Sequence, residues 1–236
     1  MKAQHRHQLK QNQFAVVMAR TMNAIAENRE RVVIGLVAVA LVAAVAAGYL
    51  YWRNRTENHA SAAFGQAMAI TQSPIVPAPT VPGATQAPGT YPTEQARADA
   101  ALAAFREVID QYPSTTAADG AQYHIASLLL ALGRLPEAEA AFRESIDGGE
   151  GTVYGSVSQL GLAEAQIDQG KYDEGIRILN DLVGQRDGDL PVDAILMRLG
   201  RASQKAGRPQ EARAFFRRVI DEFPQSRYLA EARQNQ

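Results

Sequence analysis

The sequence predicts an all-α protein: a single N-terminal transmembrane helix followed by a solenoid of helical hairpins. Three observations carry this expectation. Val32 to Trp52 is a run of 21 residues without a formal charge. From Ala101 onward, small and large apolar residues recur with a period of 37. Glycine and proline punctuate that period where short antiparallel helices need their turns.

Residues 1–31 are too few for a domain. Phe14, Val17, Met18, Met22 and Ile25 recur at three- and four-residue spacing, which predicts an amphipathic helix over 9–30 that suits a membrane interface or a membrane partner. His5 and His7 have no further ligand nearby, so no metal site is expected there.

The run 32–52 follows. At about 1.5 Å per residue it makes roughly 31 Å of helix, the thickness of a bilayer's hydrocarbon core. Such a helix satisfies its own backbone hydrogen bonds, which lipid cannot do for it. Tyr49, Tyr51 and Trp52 cluster at one end, where amphipathic rings favour the headgroup level. A buried helix of a soluble protein is normally shorter and carries a polar stripe, and a cleaved secretory signal has a shorter apolar core. A retained span is therefore expected, with cleavage near Ala44-Val45-Ala46 as the alternative. Ala40, Ala44 and Gly48 recur every four residues, a spacing that lets a second membrane helix approach closely. In a chain this rich in alanine, chance is the competing explanation.

The flanks give the orientation. Six Lys/Arg and two Glu precede the span, a balance of +4, and the residues after it carry −5. Three Lys/Arg lie within twenty residues before the run, against Arg53 and Arg55 after it. The expectation is an N-terminus in the cytoplasm and a C-terminal domain outside it. The absence of cysteine fits an oxidising compartment in which disulfides are not used.

Residues 53–70 read as a post-membrane helix, continuous with a predicted helix over 31–70. Residues 71–93 then hold Pro74, Pro77, Pro79, Pro82, Pro88 and Pro92. Proline fixes its own φ and disfavours helix in the residue before it, so this loop is expected to be extended and poorly ordered. Its two P-x-x-P spacings read more simply as linker than as a docking motif.

From 94 to 236 the period governs. Phe105, Phe142, Leu179 and Phe216 are 37 apart, as are Ala101, Ala138, Gly175 and Ala212. Gly133, Gly170 and Gly207 keep the same spacing, and REVIDQYP at 106–113 returns as RRVIDEFP at 217–224. One supersecondary unit stacked repeatedly explains such a period, because no unit buries its apolar face alone. Each unit is a helical hairpin: Thr116-Ala-Ala-Asp119 opens a helix as a capping box would, Gly133 ends it, and Pro136 starts the return. The predicted helices are 94–111, 116–132, 136–147, 154–169, 173–186, 191–206, 209–223 and 226–234. Ala101 and Phe105 fall on the second helix of a hairpin, so 57–70 is expected to be its first helix and 71–93 an insertion between them. A flexible tether between anchor and domain is the competing reading.

This pattern resembles the tetratricopeptide repeat. The family's small eighth position falls on Ala126, Ala163 and Gly200, its glycine on Gly133, Gly170 and Gly207. Its alanine falls on Ala138, Gly175 and Ala212, and its large apolar residue on Phe142, Leu179 and Phe216. The period of 37 exceeds the family's usual 34, and the terminal proline stands only at Pro113 and Pro224. The resemblance implies a protein-binding solenoid whose first helices line a concave groove. The positions that correspond to its exposed surface are Tyr123, Ser127, Glu164, Asp168, Met197, Arg201 and Lys205. In that groove the carboxylates of one unit oppose Arg201 and Lys205 of the next, an arrangement that structural ion pairs explain equally well.

The layout of basic N-terminus, single span, helix, loop and repeats is similar to the YfgM-like ancillary subunits of the SecYEG translocon. That likeness implies a single-pass protein of a bacterial inner membrane with a periplasmic repeat domain. Its partners would be translocon subunits, secreted chains or periplasmic chaperones. The repeats alone also resemble envelope-assembly and cell-division-coordinating scaffolds, a second reading in which the span at Ala40, Ala44 and Gly48 serves self-association. No catalysis and no cofactor are expected. There is no thiol, GEGTVYG at 149–155 does not complete a phosphate loop, and His59 and His124 have no ligand partner at helical spacing. The acidic outer domain argues against nucleic acid.

Overall fold

The computed structural model describes residues 29–80, 85–149, 151–185 and 190–236. Nine helices are described: α1 (Arg29–Thr71), α2 (Glu94–Gln111), α3 (Thr116–Ala131), α4 (Leu135–Gly148), α5 (Val153–Asp168), α6 (Tyr172–Gly184), α7 (Val192–Lys205), α8 (Pro209–Glu222) and α9 (Leu229–Gln234). The predicted helix over 9–30 lies almost wholly outside the described residues. The chain divides between Arg55 and Thr56 into two compact units.

In the first unit, the described part of α1 is apolar and its side chains are exposed, among them Ile34, Leu36, Val39, Val42, Val45 and Leu50. It is the one described helix long and apolar enough to cross a membrane. Tyr49 and Trp52 sit together at its far end, ring centroids 6.2 Å apart.

The second unit begins with the remainder of α1. Ala60 and Ala67 are fully buried, and Phe64 and Met68 pack beside them against Ala101, Leu102 and Phe105 of α2. The ring centroids of Phe64 and Phe105 are 5.8 Å apart. The stretch 57–70 thus serves as the first helix of a hairpin whose second helix is α2. The Pro-rich stretch lies between them, and its described arms are tied to each other, although poor order is the expectation from its prolines. Val76 N–H donates to the Tyr91 carbonyl (2.9 Å) and Tyr91 N–H to the Pro74 carbonyl (3.0 Å). The Gln86 amide reaches both Val76 O and Thr90 Oγ1. Prolines removed six donors from this stretch, and the amides of Val76 and Tyr91 pair its described arms.

α3–α4, α5–α6 and α7–α8 are the next three hairpins, each packed on the one before it. Gly133, Gly170 and Gly207 hold φ of 71°, 79° and 73°, left-handed turns that a side chain would strain. The other repeat positions form the core: Ala126, Ala138, Phe142, Leu179, Ala212 and Phe216 are buried. Gly161 and Gly200 admit the neighbouring rings, since a Cβ on either would come within 2.3 Å of Phe142 and 2.4 Å of Phe216 respectively. Two clusters result. The first runs from α1 to α5 and is rich in alanine; the second runs from α5 to α9 and is built mostly of larger aliphatic side chains.

The ends of three helices differ from expectation. The N-cap of α3 is Thr115 rather than Thr116: its hydroxyl accepts from Ala118 N–H (3.2 Å). Thr152, one period later, caps α5 through Gly155 N–H (3.2 Å). The sixth helix stops at Gly184, two residues before its expected end. The last helix starts at Leu229, because Ser226 holds 224–228 in a turn. Its N–H donates to Phe223 O, its hydroxyl donates to Asp193, and Tyr228 N–H donates to that hydroxyl.

Candidate functional site

First helices of successive hairpins stand side by side: α3 packs on α5, and Arg198 and Lys205 join α7 to Glu164 and Asp168 of α5. They therefore present a continuous face whose residues repeat every 37. Tyr123 and Ser127 of α3, Glu164 and Asp168 of α5, and Arg201 and Lys205 of α7 all lie on these helices and all reach solvent to some degree.

Met197 does not. It is only 1% exposed and belongs to the same buried cluster as Ala232 of α9. α9 is the cause: it lies over α7, with Arg201 donating through two nitrogens to Glu231 (2.8 and 2.6 Å) and Gln204 donating to Asn235 (3.2 Å). Arg201 holds the Glu231 carboxyl below its usual range, chiefly through that hydrogen bond. Met197 is thus a core residue under the terminal helix and leaves the exposed groove set.

The two ends of this face differ in chemistry. Towards the C-terminus it is lined by ion pairs. Arg198 donates to Glu164 (2.5 Å), Lys205 to Asp168 (3.0 Å), and Arg201 is taken by Glu231. Glu164, Asp168, Arg198, Arg201 and Lys205 rim one shallow cleft floored by Ile167 and Ala202. Each cation there already has its carboxylate, so the cleft offers little uncompensated charge.

Towards the N-terminus the same face is aromatic. Tyr123 lies 5.2 Å from His124, 6.1 Å from Tyr154 and 6.4 Å from Phe142, and His124 stacks on Phe105 at 5.5 Å. Phe64 closes the group 5.5 Å from His124. Burial pushes the His124 imidazole below its ordinary pKa, so its stack is with a neutral ring. Tyr123 anchors this half. Phe64, His124 and Tyr154 are neighbours that sequence reasoning missed for the face; Arg198, one 37-residue step beyond Gly161, was missed at the other end. Their spacing from Tyr123, Ser127 and Arg201 was the available signal.

Ala40, Ala44 and Gly48 lie on the exposed part of α1 in the first unit. A Cβ on Gly48 would meet nothing within 4 Å. Among the described residues, no group of three or more His, Cys, Asp or Glu converges as metal ligands would.

The comparisons with known proteins agree with this geometry. A family model described as a tetratricopeptide repeat-like domain matches residues 25–235. No curated protein matches the chain. Among solved structures, it is similar to a putative kinesin light chain from Podosopora anserina with nearly identical TPR-like repeats. That likeness has a TM-score of 0.54 at 17% identity and covers 76% of this chain and 87% of the other. It is also similar to a tetratricopeptide repeat protein from Parabacteroides merdae, with a TM-score of 0.48 at 13% identity. That match covers 60% of this chain and spans only 52% of the Parabacteroides chain. At 17% identity the Podosopora likeness speaks for the fold alone, and the repeat-like domain that the family model matches suggests a protein-interaction module. With the family match running from before the apolar run to the last helix, the chain belongs to the tetratricopeptide repeat-like domain family.

Proposed function

We propose that this protein is a single-pass inner-membrane adaptor of the secretion translocon. In this reading 1–31 is cytoplasmic, 32–52 spans the bilayer, 53–70 leaves it as helix, and the repeats stand in the periplasm. The first-helix face engages secreted chains or periplasmic chaperones, while the span contacts translocon subunits. The observation that carries the reading is the junction of two features in one chain: an exposed apolar helix of bilayer length and a solenoid with an open binding face. The excess of Lys/Arg before the run supports the orientation. The absence of a cysteine for lipid attachment supports retention by the span itself.

The small residues Ala40, Ala44 and Gly48 favour a second reading, an envelope-assembly or cell-division scaffold that self-associates through its span without a translocon role. Photo-crosslinkable residues at 40, 44 and 48, followed by mass spectrometry of the products, separate the two. The adaptor predicts translocon subunits among the products. Recovery of this chain alone supports the scaffold and ends the adaptor reading.

A further inference from the structure

At the N-terminal end of the first-helix face, an aromatic floor stands beside two carboxylates. Asp119 and Tyr123 are one turn apart on α3, and Glu57 and Phe64 two turns apart on α1, so each acid shares a face with a ring. Tyr154 completes the group at the same end: a Cβ on Gly120 would lie 2.9 Å from its hydroxyl and 3.3 Å from the Phe64 ring. Phe64, Tyr123, His124 and Tyr154 are each only partly buried, and Val153, next to Tyr154 in the chain, is 59% exposed.

One oxygen of Glu57 accepts from Thr116 N–H at 3.1 Å, which serves the open end of α3. Asp119 has no such task. The end of α3 is already capped by Thr115 and Glu57, and neither acid forms a salt bridge among the described residues. An acid that merely complemented the helix dipole would have its pKa lowered. That of Asp119 is raised, by its burial first and by the nearby Glu57 charge second. Two carboxylates that repel each other beside electron-rich rings form a site for a cation, and the C-terminal half of the same face, fully ion-paired, has none to offer.

We propose that this patch docks an extended polypeptide segment carrying a Lys or Arg next to an apolar side chain. The cation lies between Asp119 and Glu57 and over the Tyr154 ring, and the apolar neighbour lies on Phe64 and Tyr123. The proposal rests on the protein-binding reading above and names the chemistry of the bound chain.

The test uses the full chain in phosphatidylcholine nanodiscs, with empty nanodiscs as blank. Three fluorescent peptides are compared by polarisation: repeats of Ser-Lys-Leu, of Ser-Gln-Leu and of Ser-Glu-Leu. The lysine peptide is expected to bind at least about fivefold more tightly than the other two, the combined effect of a partly screened ion pair and a cation–π contact. Asp119→Asn should remove most of that preference while leaving the melting temperature unchanged or higher, because it relieves the repulsion with Glu57. Arg201→Glu with Lys205→Glu should leave the preference intact. The proposal is overturned if the glutamine or glutamate peptide binds as well as the lysine peptide, or if Asp119→Asn leaves the lysine peptide's affinity unchanged. It also fails if the C-terminal reversals abolish binding, if no peptide binds, or if Asp119→Asn instead abolishes self-association, which would assign the patch to a second copy. None of these outcomes bears on the crosslinks from 40, 44 and 48, so the two readings fail separately.

Discussion

Two junctions between neighbouring hairpins, one period apart, solve the same packing problem with opposite chemistry. Where α4 meets α5, Glu139 is buried at 5% exposure and accepts four side chains: Lys171 (2.7 Å), Gln169 (2.8 Å), Gln166 (3.3 Å) and Arg143. Thirty-seven residues on, where α6 meets α7, Ile176 stands in place of Glu139 and Ser203 in place of Gln166. There the junction is apolar, and the charge has moved outward to a pair between Arg208 and Asp173. One period earlier still, the equivalent residues are Leu102 and Leu129, both buried. The backbone of the hairpin does not care which solution is used. A repeat constrains volume and turn geometry, and a polar set is accepted wherever every donor and acceptor but one finds a partner.

These three equivalent junctions can be broken in order of expected effect. Leu102→Ala empties a fully apolar contact and should destabilise the repeat domain by about 2–5 kcal/mol. Because hairpins stabilise chiefly their neighbours, hydrogen exchange should show α1 to α4 losing protection well before α7 to α9. Uniform loss along the chain would mean that the two clusters fold as one.

Glu139→Gln comes second. Burial alone would raise this carboxyl's pKa, but the hydrogen bonds from Lys171, Gln169, Gln166 and Arg143 outweigh it and hold it at about 2, against an ordinary 4.5. A depressed carboxyl pKa contributes stability that is complete above 4.5 and is lost as pH falls from there through 2. The substitution should therefore cost about 2 kcal/mol at neutral pH, and the cost should shrink on acidification through that window. Denaturant titrations at pH 7 and pH 3 measure both. An equal penalty at the two pH values would show that shape rather than charge is what the junction needs.

The comparison also explains which parts of the molecule could be read in advance. The period located Gly133, Gly170 and Gly207, whose left-handed turns only glycine makes cheaply, and the buried ring at Phe142 and Phe216. Those are local or strictly repeated demands. Glu139 gave no such signal: in sequence it is one charge among many on a helix, and three of its four partners lie 27 to 32 residues away. Thr115 and Thr116 suit a cap equally well in sequence, and Thr152 one period after Thr115 marks the one that serves. The repeat places Met197 on the inner face, where exposure is expected, but a helix outside the repeat pattern, α9, covers it. The period puts Tyr123, Ser127, Glu164, Asp168, Arg201 and Lys205 on first helices, but the pairings of Glu164 with Arg198 and Arg201 with Glu231 depend on side-chain reach that spacing does not encode.

The smallest effect is expected at Ser203, and its sign is the informative part. The side chain is fully buried, and its hydroxyl has no hydrogen-bond partner among the described residues. Its counterpart Gln166 donates to Glu139, whereas the position equivalent to Glu139 one period on is the apolar Ile176. A buried hydroxyl without a partner loses its hydration for nothing, and alanine is the better helix former. Ser203→Ala should thus raise stability by up to about 1 kcal/mol, a shift in the denaturation midpoint without a change of slope. The same substitution made in the presence of Glu139→Gln should give the same increment, since the two junctions share no side chain. A loss of stability would mean that the hydroxyl bonds the carbonyl one turn back, as buried serines in helices can, and that the apolar junction is as fully satisfied as the polar one.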